Sequence, residues 1–399
     1  MTSASTAGPV RADWHLITCE YPPQLGGVSD YVRLIAAELK ARGGDVQVWA
    51  PGRAFADSSP AITPEGVTLR RSFGAFRPGD LRRVGHALDS YPAPRRLFVQ
   101  WVPHGYGYRS LNVAFCLWLW WRARAKRDVV ELMVHECFLP FTAGRWRANV
   151  VALGQRAMMA ILLRTAARIW YSTPAWEPKL RPLTFGRRVP FGWLPLPSTV
   201  PLEADAGIVA ALRSRYAPAP RRLVGHMGTF GREQRELLLG ILPGLCNRVG
   251  ECDVLLMGPG GEALRDALIA RDPALADRIR ATGPIPATEL SNYIAACDVM
   301  LQPYADGVTT RRTSFMAGLA IGVPTVTTLG FLSEAFWKET GAALFTEADD
   351  ASAMVEGIRA LLSDRDVRDR VARGARRLYE DRFAIRHIAD ALTGAVTRS

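Results

Sequence analysis

Three loops in the sequence carry residue types suited to holding a phosphate or a sugar. The first is PPQLGGVSDYV, in which Gly26 and Gly27 follow an apolar run and precede a helical pattern. Ser29 is a good N-cap, and backbone amides beside a helix N-terminus favour an anion. Paired glycines also serve in ordinary left-handed turns. By itself, this loop favours the structural turn.

The second loop is HMGTFGREQRELL, which places Gly228 just after a strand pattern and Arg232 and Arg235 in the first turns of a helix. A guanidinium is permanently charged and binds phosphate through two parallel hydrogen bonds, so either arginine is suited to a diphosphate. However, Glu233 and Glu236 alternate with the arginines, as on a solvated helix face. In isolation the loop slightly favours the solvated face.

The third loop lies in CDVMLQPYADGVTTRRTSFMAGLAIGVPTVTTLGF, which reads as strand, loop, helix and strand. Asp306 offers an acceptor for hydroxyls, and Gly307 allows a close backbone approach. Thr309 and Thr310 are expected to cap the helix, so that its N-terminal amides face the end of the preceding strand. A carboxylate beside such a helix end suits a ligand with both sugar hydroxyls and phosphates.

Together with two further segments, these loops resemble the family 4 glycosyltransferases, which have the GT-B architecture. The resemblance extends over nearly the whole chain and is carried by the segments PPQLGGVSDYV, MVHECFLPF, WLPLPSTVP, ATGPIPATELSNYIAACDVMLQPYADG and GVPTVTTLGFLSEAFW. An ordered set of this kind is much more specific than any one of its motifs. It implies retaining transfer of a sugar from a nucleotide diphosphate sugar to a hydroxyl acceptor, with no cofactor and no metal.

The resemblance also implies roles for individual residues. His135 would lie by the transferred sugar, and Asp306 would contact its hydroxyls. A histidine at a strand end often only satisfies backbone groups, but its place next to Glu136 at a carboxyl end favours function. Gly27 would approach the donor phosphate, an arginine would bind the diphosphate, and Pro284 with Ile285 would border the base. The donor-binding set is Gly26, Gly27, Gly228, Arg232, Arg235, Pro284, Ile285, Gly307, Val308, Thr309, Thr310 and Glu334.

The sequence departs from the family pattern at two points. The family usually has a glutamate where Asp306 stands and a second glutamate eight residues later, where this chain has Ser314. The lysine that usually accompanies the diphosphate arginine is also missing, and Arg311 and Arg312 are the nearest substitutes. Two other functions stay open. The GT-B fold also serves sugar-nucleotide epimerases, and the missing second glutamate is consistent with a non-catalytic glycosyltransferase-like partner subunit.

The pattern of elements that must position these loops is α/β. Apolar β-rich runs alternate with helical patterns, which predicts parallel sheets covered by helices. Strands are expected near 13–19, 45–50, 97–102, 129–135, 168–172, 222–227, 252–257, 278–282, 297–302 and 323–328. Helices are expected near 29–42, 149–166, 233–248, 261–271, 287–296 and 310–321.

A proline- and alanine-rich stretch near 197–220 indicates a domain boundary. We therefore expect two Rossmann-like doubly wound domains, 1–200 on the acceptor side and 201–380 for the nucleotide sugar. A C-terminal helix in 381–399 is expected to pack back toward the first domain. Two such domains would face a central cleft at the carboxyl ends of both sheets, as in GT-B enzymes.

The charge of the chain is concentrated in its first half. Residues 1–200 hold 26 Lys+Arg against 13 Asp+Glu, and the remainder holds 24 against 25. Ten of the 11 tryptophans also precede residue 201. A basic, tryptophan-rich half is typical of a surface for nucleic acid or anionic membrane. The sequence lacks a recognition-helix, RNA-binding or zinc-finger signature, so we expect no nucleic-acid partner.

The segment LNVAFCLWLWWRARAKR (111–127) supports two interpretations equally. Its apolar part is too short to span a bilayer. Tryptophans followed by four basic residues, Arg122, Arg124, Lys126 and Arg127, suit a helix at a membrane interface. A buried helix with a solvated basic end is the alternative. The first interpretation favours a lipid-linked saccharide acceptor at an anionic membrane, in polysaccharide or glycolipid assembly.

The six cysteines are scattered without short paired spacings, which predicts neither a disulfide framework nor a zinc site. The N-terminus lacks a basic start followed by an apolar run, so we do not expect a secretion signal there. Both features favour a cytoplasmic protein, peripheral on the inner membrane face if the membrane contact exists.

Overall fold

The computed structural model describes residues 13–24, 26–52, 60–107 and 110–394. The chain folds as two compact units. The first unit reaches Pro195 and also includes the chain from Ile385, and the second runs from Leu196 to Ala384. Each unit has its own sheet and its own buried apolar cluster. We call them the first and second domain.

The sheet of the first domain has the strand order β3-β4-β2-β1-β5-β6-β7-β8. Its strands are parallel except for β3, which pairs antiparallel with β4 at one edge. The strands are β1 (Asp13–Ile17), β2 (Asp45–Trp49), β3 (Ala61–Ile62), β4 (Thr68–Arg70), β5 (Arg96–Trp101), β6 (Val129–Val134), β7 (Arg168–Tyr171) and β8 (Phe191–Trp193). The helices of the same part of the chain are α1 (Gly27–Ala41), α2 (Pro78–Asp89), α3 (Val113–Ala125), α4 (Trp146–Thr165) and the short α5 (Glu177–Leu180).

The sheet of the second domain is parallel throughout its described strands, with the order β11-β10-β9-β12-β13-β14. The strands are β9 (Arg222–Met227), β10 (Cys252–Met257), β11 (Ile279–Ala281), β12 (Val299–Gln302), β13 (Thr325–Leu329) and β14 (Leu344–Glu347). The helices are α6 (Ala206–Tyr216), α7 (Arg232–Arg248), α8 (Gly261–Arg271), α9 (Leu290–Ala295), α10 (Thr313–Ile321), α11 (Ala351–Ser363) and α12 (Arg365–Arg382).

The last described helix, α13 (Ile385–Gly394), belongs to the first domain although it follows the second in sequence. Its buried face, formed by Ile388, Ala389 and Leu392, covers apolar surface near α1. Arg96 at the start of β5 donates a hydrogen bond to the Leu392 carbonyl at 2.8 Å. The end of the chain is thus tied to the first domain by both apolar and polar contacts.

In each sheet, the order in which the chain adds strands changes direction at one point. In the second sheet the chain moves outward from β9 to β10 and β11, then returns to β12 on the other side of β9. The first sheet reverses in the same way around β1, which lies between β2 and β5. In open parallel sheets, ligands bind outside the carboxyl ends of the strands at such a point. The loops after β1, β9 and β12 therefore occupy the positions where a ligand is expected.

The α/β fold with two parallel-sheet domains is confirmed. Long buried strands such as β5 and β10 lie where they were predicted, because parallel strands covered on both faces read as continuous apolar runs. The short strands β3, β4, β8 and β14 were not predicted.

Candidate functional site

The loop after β12 presents an ion pair beside an aromatic ring. The Asp306 carboxylate is bound by the Arg312 guanidinium, which also lies 4.6 Å from the ring centre of Tyr304. The side chains of Asp306 and Arg312 are 24% and 29% exposed, so both reach solvent. This pair offers a carboxylate that accepts from hydroxyls and a cation that attracts phosphate.

Two glycines allow this loop to lie against the loop after β13. Gly307 has a φ of +88°, and a Cβ there would lie 2.3 Å from the Gly330 amide nitrogen. A Cβ on Gly330 would lie 2.6 Å from the carbonyl carbon of Asp306. Any side chain at either position would push the loops apart. The glycine at 307 is therefore required by the protein's own backbone, whatever ligand the loop holds.

Glu334 links the loop after β13 to the loop after β12. Its carboxylate accepts from the Thr310 amide at 3.1 Å and from the Thr310 hydroxyl at 3.0 Å. Its other oxygen accepts from the indole nitrogen of Trp337 at 2.7 Å. Burial raises the pKa of Glu334, although these hydrogen bonds act in the opposite direction. In this structure Glu334 holds the Asp306 loop in place, and its assignment to the donor stays a prediction.

The start of α10 differs from expectation. The helix begins at Thr313 rather than near residue 310, so the prediction that Thr309 and Thr310 cap it is wrong. The Val308 amide donates to the Thr328 carbonyl at 2.8 Å, and the Thr310 amide donates to Glu334. Both amides are therefore already bonded within the domain. The predicted contact of a phosphate with the Val308 and Thr310 amides would need these two amides to exchange their partners.

The position of the missing second glutamate is also occupied by internal contacts. Ser314 lies in the first turn of α10, where its hydroxyl is 2.9 Å from the Tyr304 hydroxyl. The Ser314 hydroxyl also lies 3.3 Å from the Gln302 side chain. Ser314 thus orients the buried Tyr304, whose ring supports Arg312.

The loop after β9 is closely packed against the loop after β10. A Cβ on Gly258, where φ is +121°, would lie 2.2 Å from the Gly228 carbonyl oxygen. A Cβ on Gly228 would itself lie 2.9 Å from the Gln234 side chain. The Gly258 amide donates to the Gly283 carbonyl at 3.1 Å, which links this pair to the loop after β11. The glycines thus bring three loop backbones together at one sheet edge.

The two arginines of the second loop lie at the start of α7. The Arg232 side chain is 89% exposed and pairs with Glu236 at 3.1 Å, as on the solvated helix face that the alternating charges indicated. Arg235 is half-buried, and its guanidinium donates to the Ala263 carbonyl at 3.4 Å. Pro284 is exposed, whereas Ile285 is half-buried in the apolar cluster beside α9. All four remain predicted donor contacts.

A buried histidine lies directly beneath the Gly228 loop. His226 in β9 has no exposed surface, and its Nδ1 lies 2.7 Å from the Leu301 carbonyl oxygen. Burial lowers the pKa of His226 from 6.5 to about 4. His15 in β1 occupies the corresponding central strand of the first sheet, and burial likewise lowers its pKa to about 4.

These histidines predict acid sensitivity in both domains. A histidine whose pKa falls on folding stabilises the folded state fully above pH 6.5, and that stability is lost as the pH falls toward 4. For each histidine the loss is on the order of 3 kcal/mol. We expect His226→Gln to flatten the pH dependence of the second domain only, and His15→Gln that of the first only. Hydrogen exchange followed by mass spectrometry resolves the two domains, and unchanged pH profiles in both variants would contradict the assignment.

In the first domain, His135 follows β6 and lies 4% exposed. Its Nε2 is 2.9 Å from the Gln100 side-chain oxygen, and its carbonyl accepts from the Ser172 hydroxyl at 3.1 Å. The Tyr31 ring of α1 packs edge-on against the imidazole, with the ring centres 5.1 Å apart. The structure therefore brings His135 together with the helix that follows the Gly26 loop. Glu136 is exposed and lies 3.4 Å from His104.

A carboxylate of the protein already lies at the N-terminus of α1. The helix begins at Gly27, so Ser29 is inside the first turn and the prediction that it is the N-cap is wrong. The Ser29 amide donates to the Glu20 carboxylate at 2.9 Å. A Cβ on Gly26 would lie 2.3 Å from the same carboxylate, whereas one on Gly27 would meet nothing within 4 Å. Gly26 thus makes room for Glu20, and Gly27 leaves the approach to the helix end open.

Comparison with known proteins agrees with this architecture. Residues 221–364 match the family model described as "Glycosyl transferases group 1", which covers the loops after β9 and β12. The matched segment lies within the second domain. No curated protein sequence matches the chain.

Solved structures of similar architecture cover both domains. Sucrose-phosphate synthase from Thermosynechococcus elongatus aligns over 97% of this chain and 98% of its own, with 18% identity and a TM-score of 0.70. Anabaena HepE, solved with UDP and glucose, aligns over 97% and 100%, with 14% identity and a TM-score of 0.68. WaaG, a glycosyltransferase involved in lipopolysaccharide biosynthesis, aligns over the same shares with 15% identity and a TM-score of 0.59. The chain therefore has the GT-B fold.

Sequence reasoning missed the partners of the predicted residues. Glu20, Gln100 and Tyr304 hold or support the candidate site through contacts that have no signature in the chain. Arg312 was recognised only as a substitute charge, although it binds Asp306 directly. Asp306 and Arg312 are six residues apart in sequence. This is not a helical spacing, because a loop lies between them.

Proposed function

We propose that the protein transfers a sugar from a nucleotide diphosphate sugar to a hydroxyl group of an acceptor, with retention and without a metal. The observation that carries this proposal is the Asp306–Arg312 pair at the reversal point of the second sheet, within the segment that matches the glycosyltransferase family model. A carboxylate and a cation on one loop match the hydroxyls and phosphates of such a donor. The binding of UDP by HepE is consistent with this class of ligand.

In this proposal the arginines stabilise the charge that develops on the leaving diphosphate. Arg312 is the cation nearest to Asp306, and Arg232 and Arg235 add positive charge at the start of α7. Fixed positive charges at the leaving group stabilise the transition state without reorganising solvent. The acceptor hydroxyl attacks on the face that the diphosphate leaves, and a diphosphate oxygen takes the hydroxyl proton.

A thermal-shift panel tests donor binding. We expect one of UDP-, GDP-, ADP- and dTDP-sugars to raise the melting temperature of the full chain, because a ligand that binds only the folded state stabilises it. The shift should be weaker in Asp306→Ala. No shift with any donor would argue for a non-catalytic partner subunit, and conversion of the donor sugar without an acceptor would argue for an epimerase.

Metal independence is tested with the same donor. We expect the rate of sugar transfer to be unchanged, within about twofold, by excess EDTA, since arginines supply the positive charge. Loss of activity in EDTA and its recovery with Mg²⁺ or Mn²⁺ would contradict this part of the proposal. The measurement is product formation at saturating donor.

The acceptor is proposed to be a lipid-linked saccharide, reached at the cytoplasmic face of an anionic membrane in polysaccharide or glycolipid assembly. The helices α3 and α4 support this because neither contains an Asp or a Glu. Both expose large apolar side chains, with basic residues beside them: Leu117, Trp120 and Trp121 on α3, and Trp146, Val150 and Leu153 on α4. Apolar side chains beside cations match the boundary between acyl chains and anionic headgroups. No helix in the described residues is long and apolar enough to cross a bilayer.

One of the four basic residues assigned to this surface is not part of it. Arg122 is fully buried and binds Asp128 at 2.5 Å. The exposed cations of this region include Arg124, Arg127 and Arg147. We expect their joint replacement by glutamate to abolish co-sedimentation with vesicles that contain phosphatidylglycerol. Unchanged co-sedimentation would remove the membrane contact from the proposal and leave sugar transfer untouched.

A further inference from the structure

A groove of about 540 Å³ lies between α2 and α3 in the first domain. Each helix contributes one face to it, with lining residues three or four positions apart. Gly85 is part of its lining, and a Cβ there would lie 3.4 Å from Arg122 and 3.5 Å from the Trp118 indole nitrogen. The groove belongs to the first domain, whereas Asp306 belongs to the second. None of the predicted donor residues lines the groove.

The groove is apolar at one end and charged at the other. The two helices run in the same direction, because Gly85 accepts from Arg122 at 3.2 Å and Asp89 accepts from Lys126 at 2.9 Å, one turn further on. The starts of both helices line one end with apolar side chains, which include Leu81 and Leu117. The other end carries the Asp89 ion pairs.

Positive charge is in excess along the groove. Asp89 is already paired with Arg122 at 3.1 Å and with Lys126 at 2.9 Å. Arg82 and His86 also line the groove from α2. Within the described residues, Arg82 has no carboxylate partner at ion-pair distance. Arg82 directly follows Leu81 on α2, so an anionic group beside Arg82 would lie next to the apolar end of the groove.

The groove opens onto the exposed face of α3. Leu117 and Trp121 line the groove and are also 48% and 46% exposed at the surface. Tryptophan is favoured where an apolar environment meets polar headgroups. The volume of the groove lies within the range of small-molecule sites.

We propose that this groove binds one acyl chain of an anionic phospholipid from the membrane, with the chain against Leu81 and Leu117 and the headgroup phosphate beside Arg82. This site deepens the membrane part of the proposed function and rests on it. The lipid would anchor the first domain through a defined pocket in addition to the general surface of α3 and α4.

The test uses a short-chain lipid that is monomeric in solution. Dihexanoyl-phosphatidylglycerol, kept below its critical micelle concentration, is titrated into the full chain by calorimetry. We expect saturable binding of one lipid per chain. Ala114→Trp places a ring in the apolar end of the groove and should weaken binding by about tenfold or more. Ala125→Trp is the matched control, because Ala125 is exposed on the same helix but does not line the groove.

Two further variants test the headgroup and guard against misfolding. Arg82→Gln should remove the preference for phosphatidylglycerol over phosphatidylcholine of the same chain length. Leu117→Ser, at an exposed position, should repeat the effect of Ala114→Trp if that variant does not fold.

Several results would overturn the proposal. Equal binding by wild type, Ala114→Trp and Leu117→Ser would exclude the groove, as would equal weakening in Ala125→Trp. Self-association that Ala114→Trp abolishes, without lipid binding, would assign the groove to a second copy of the chain. Nucleotide-sugar thermal shifts are measured on the same variants: intact donor shifts with no lipid binding would reject the groove alone, and lipid binding with no donor shift would reject sugar transfer alone.

Discussion

Replacing Asp306 by alanine is expected to lower kcat/KM for sugar transfer by about 100-fold or more while the second domain stays folded. The carboxylate lies at the carboxyl end of β12 and is held by Arg312, so its loss removes both a hydroxyl acceptor and the partner that positions the cation. The cost in stability should be small, because partly exposed ion pairs contribute about 1 kcal/mol or less. The measurement is steady-state transfer with the donor found in the thermal-shift panel.

Asp298→Ala is the matched control for this prediction. Asp298 lies just before β12, at the end of the strand opposite to Asp306. It pairs with Arg213 and Arg222. Its loss should lower the melting temperature and leave kcat/KM unchanged at temperatures where the chain is folded. If Asp306→Ala and Asp298→Ala reduced activity equally, the effect would be structural, and the catalytic assignment of Asp306 would fail.

Glu334→Ala is expected to lower the free energy of unfolding of the second domain by about 3–5 kcal/mol. Three donors lose a hydrogen bond to Glu334 in this variant: the Thr310 amide, the Thr310 hydroxyl and the Trp337 indole. The loss of a buried hydrogen bond to a carboxylate costs about 1–3 kcal/mol. Chemical denaturation followed by hydrogen exchange in the second domain measures the change.

The comparison with Glu339→Ala separates a structural from a ligand-binding role of Glu334. Glu339 is exposed at the end of the same short segment, so its replacement should change stability by about 0.5 kcal/mol or less. We expect Glu334→Ala to weaken donor binding as well, because the loop that carries Asp306 is released. Lost donor binding with unchanged stability would instead mean that Glu334 contacts the donor directly.

At the candidate site, the sequence predicted which residues lie after the strands but not what those residues contact. The identities of Asp306, Gly307 and Gly228 and their places after strands were readable, because strand ends and glycine turns have local signatures. The contacts of those residues were not readable. Thr310 looked like a helix cap and is bonded to Glu334, 24 residues further along the chain. Ser29 looked like a cap and donates to Glu20 through a loop with no motif.

The segment 111–127 is a surface example of contacts that the sequence did not predict. Its composition was equally consistent with a membrane helix and with a buried helix. The structure divides it: Arg122 turns inward to Asp128, whereas Trp120 and Trp121 face outward. Which side chains of an apolar helix are covered depends on neighbouring helices, and the groove itself exists only because α2, some 30 residues earlier, lies beside α3.

By itself, the sequence determined the α/β class, the long buried strands and the loops after β9 and β12, since these depend on periodicity, apolar runs and turn residues within a short window. Only the tertiary structure decided the sheet orders that bring those loops to one edge, the ion pair of Asp306 with Arg312, and the groove between α2 and α3. Those features join residues that are far apart in sequence or lie in irregular loops, and packing between elements selects them where local preference does not.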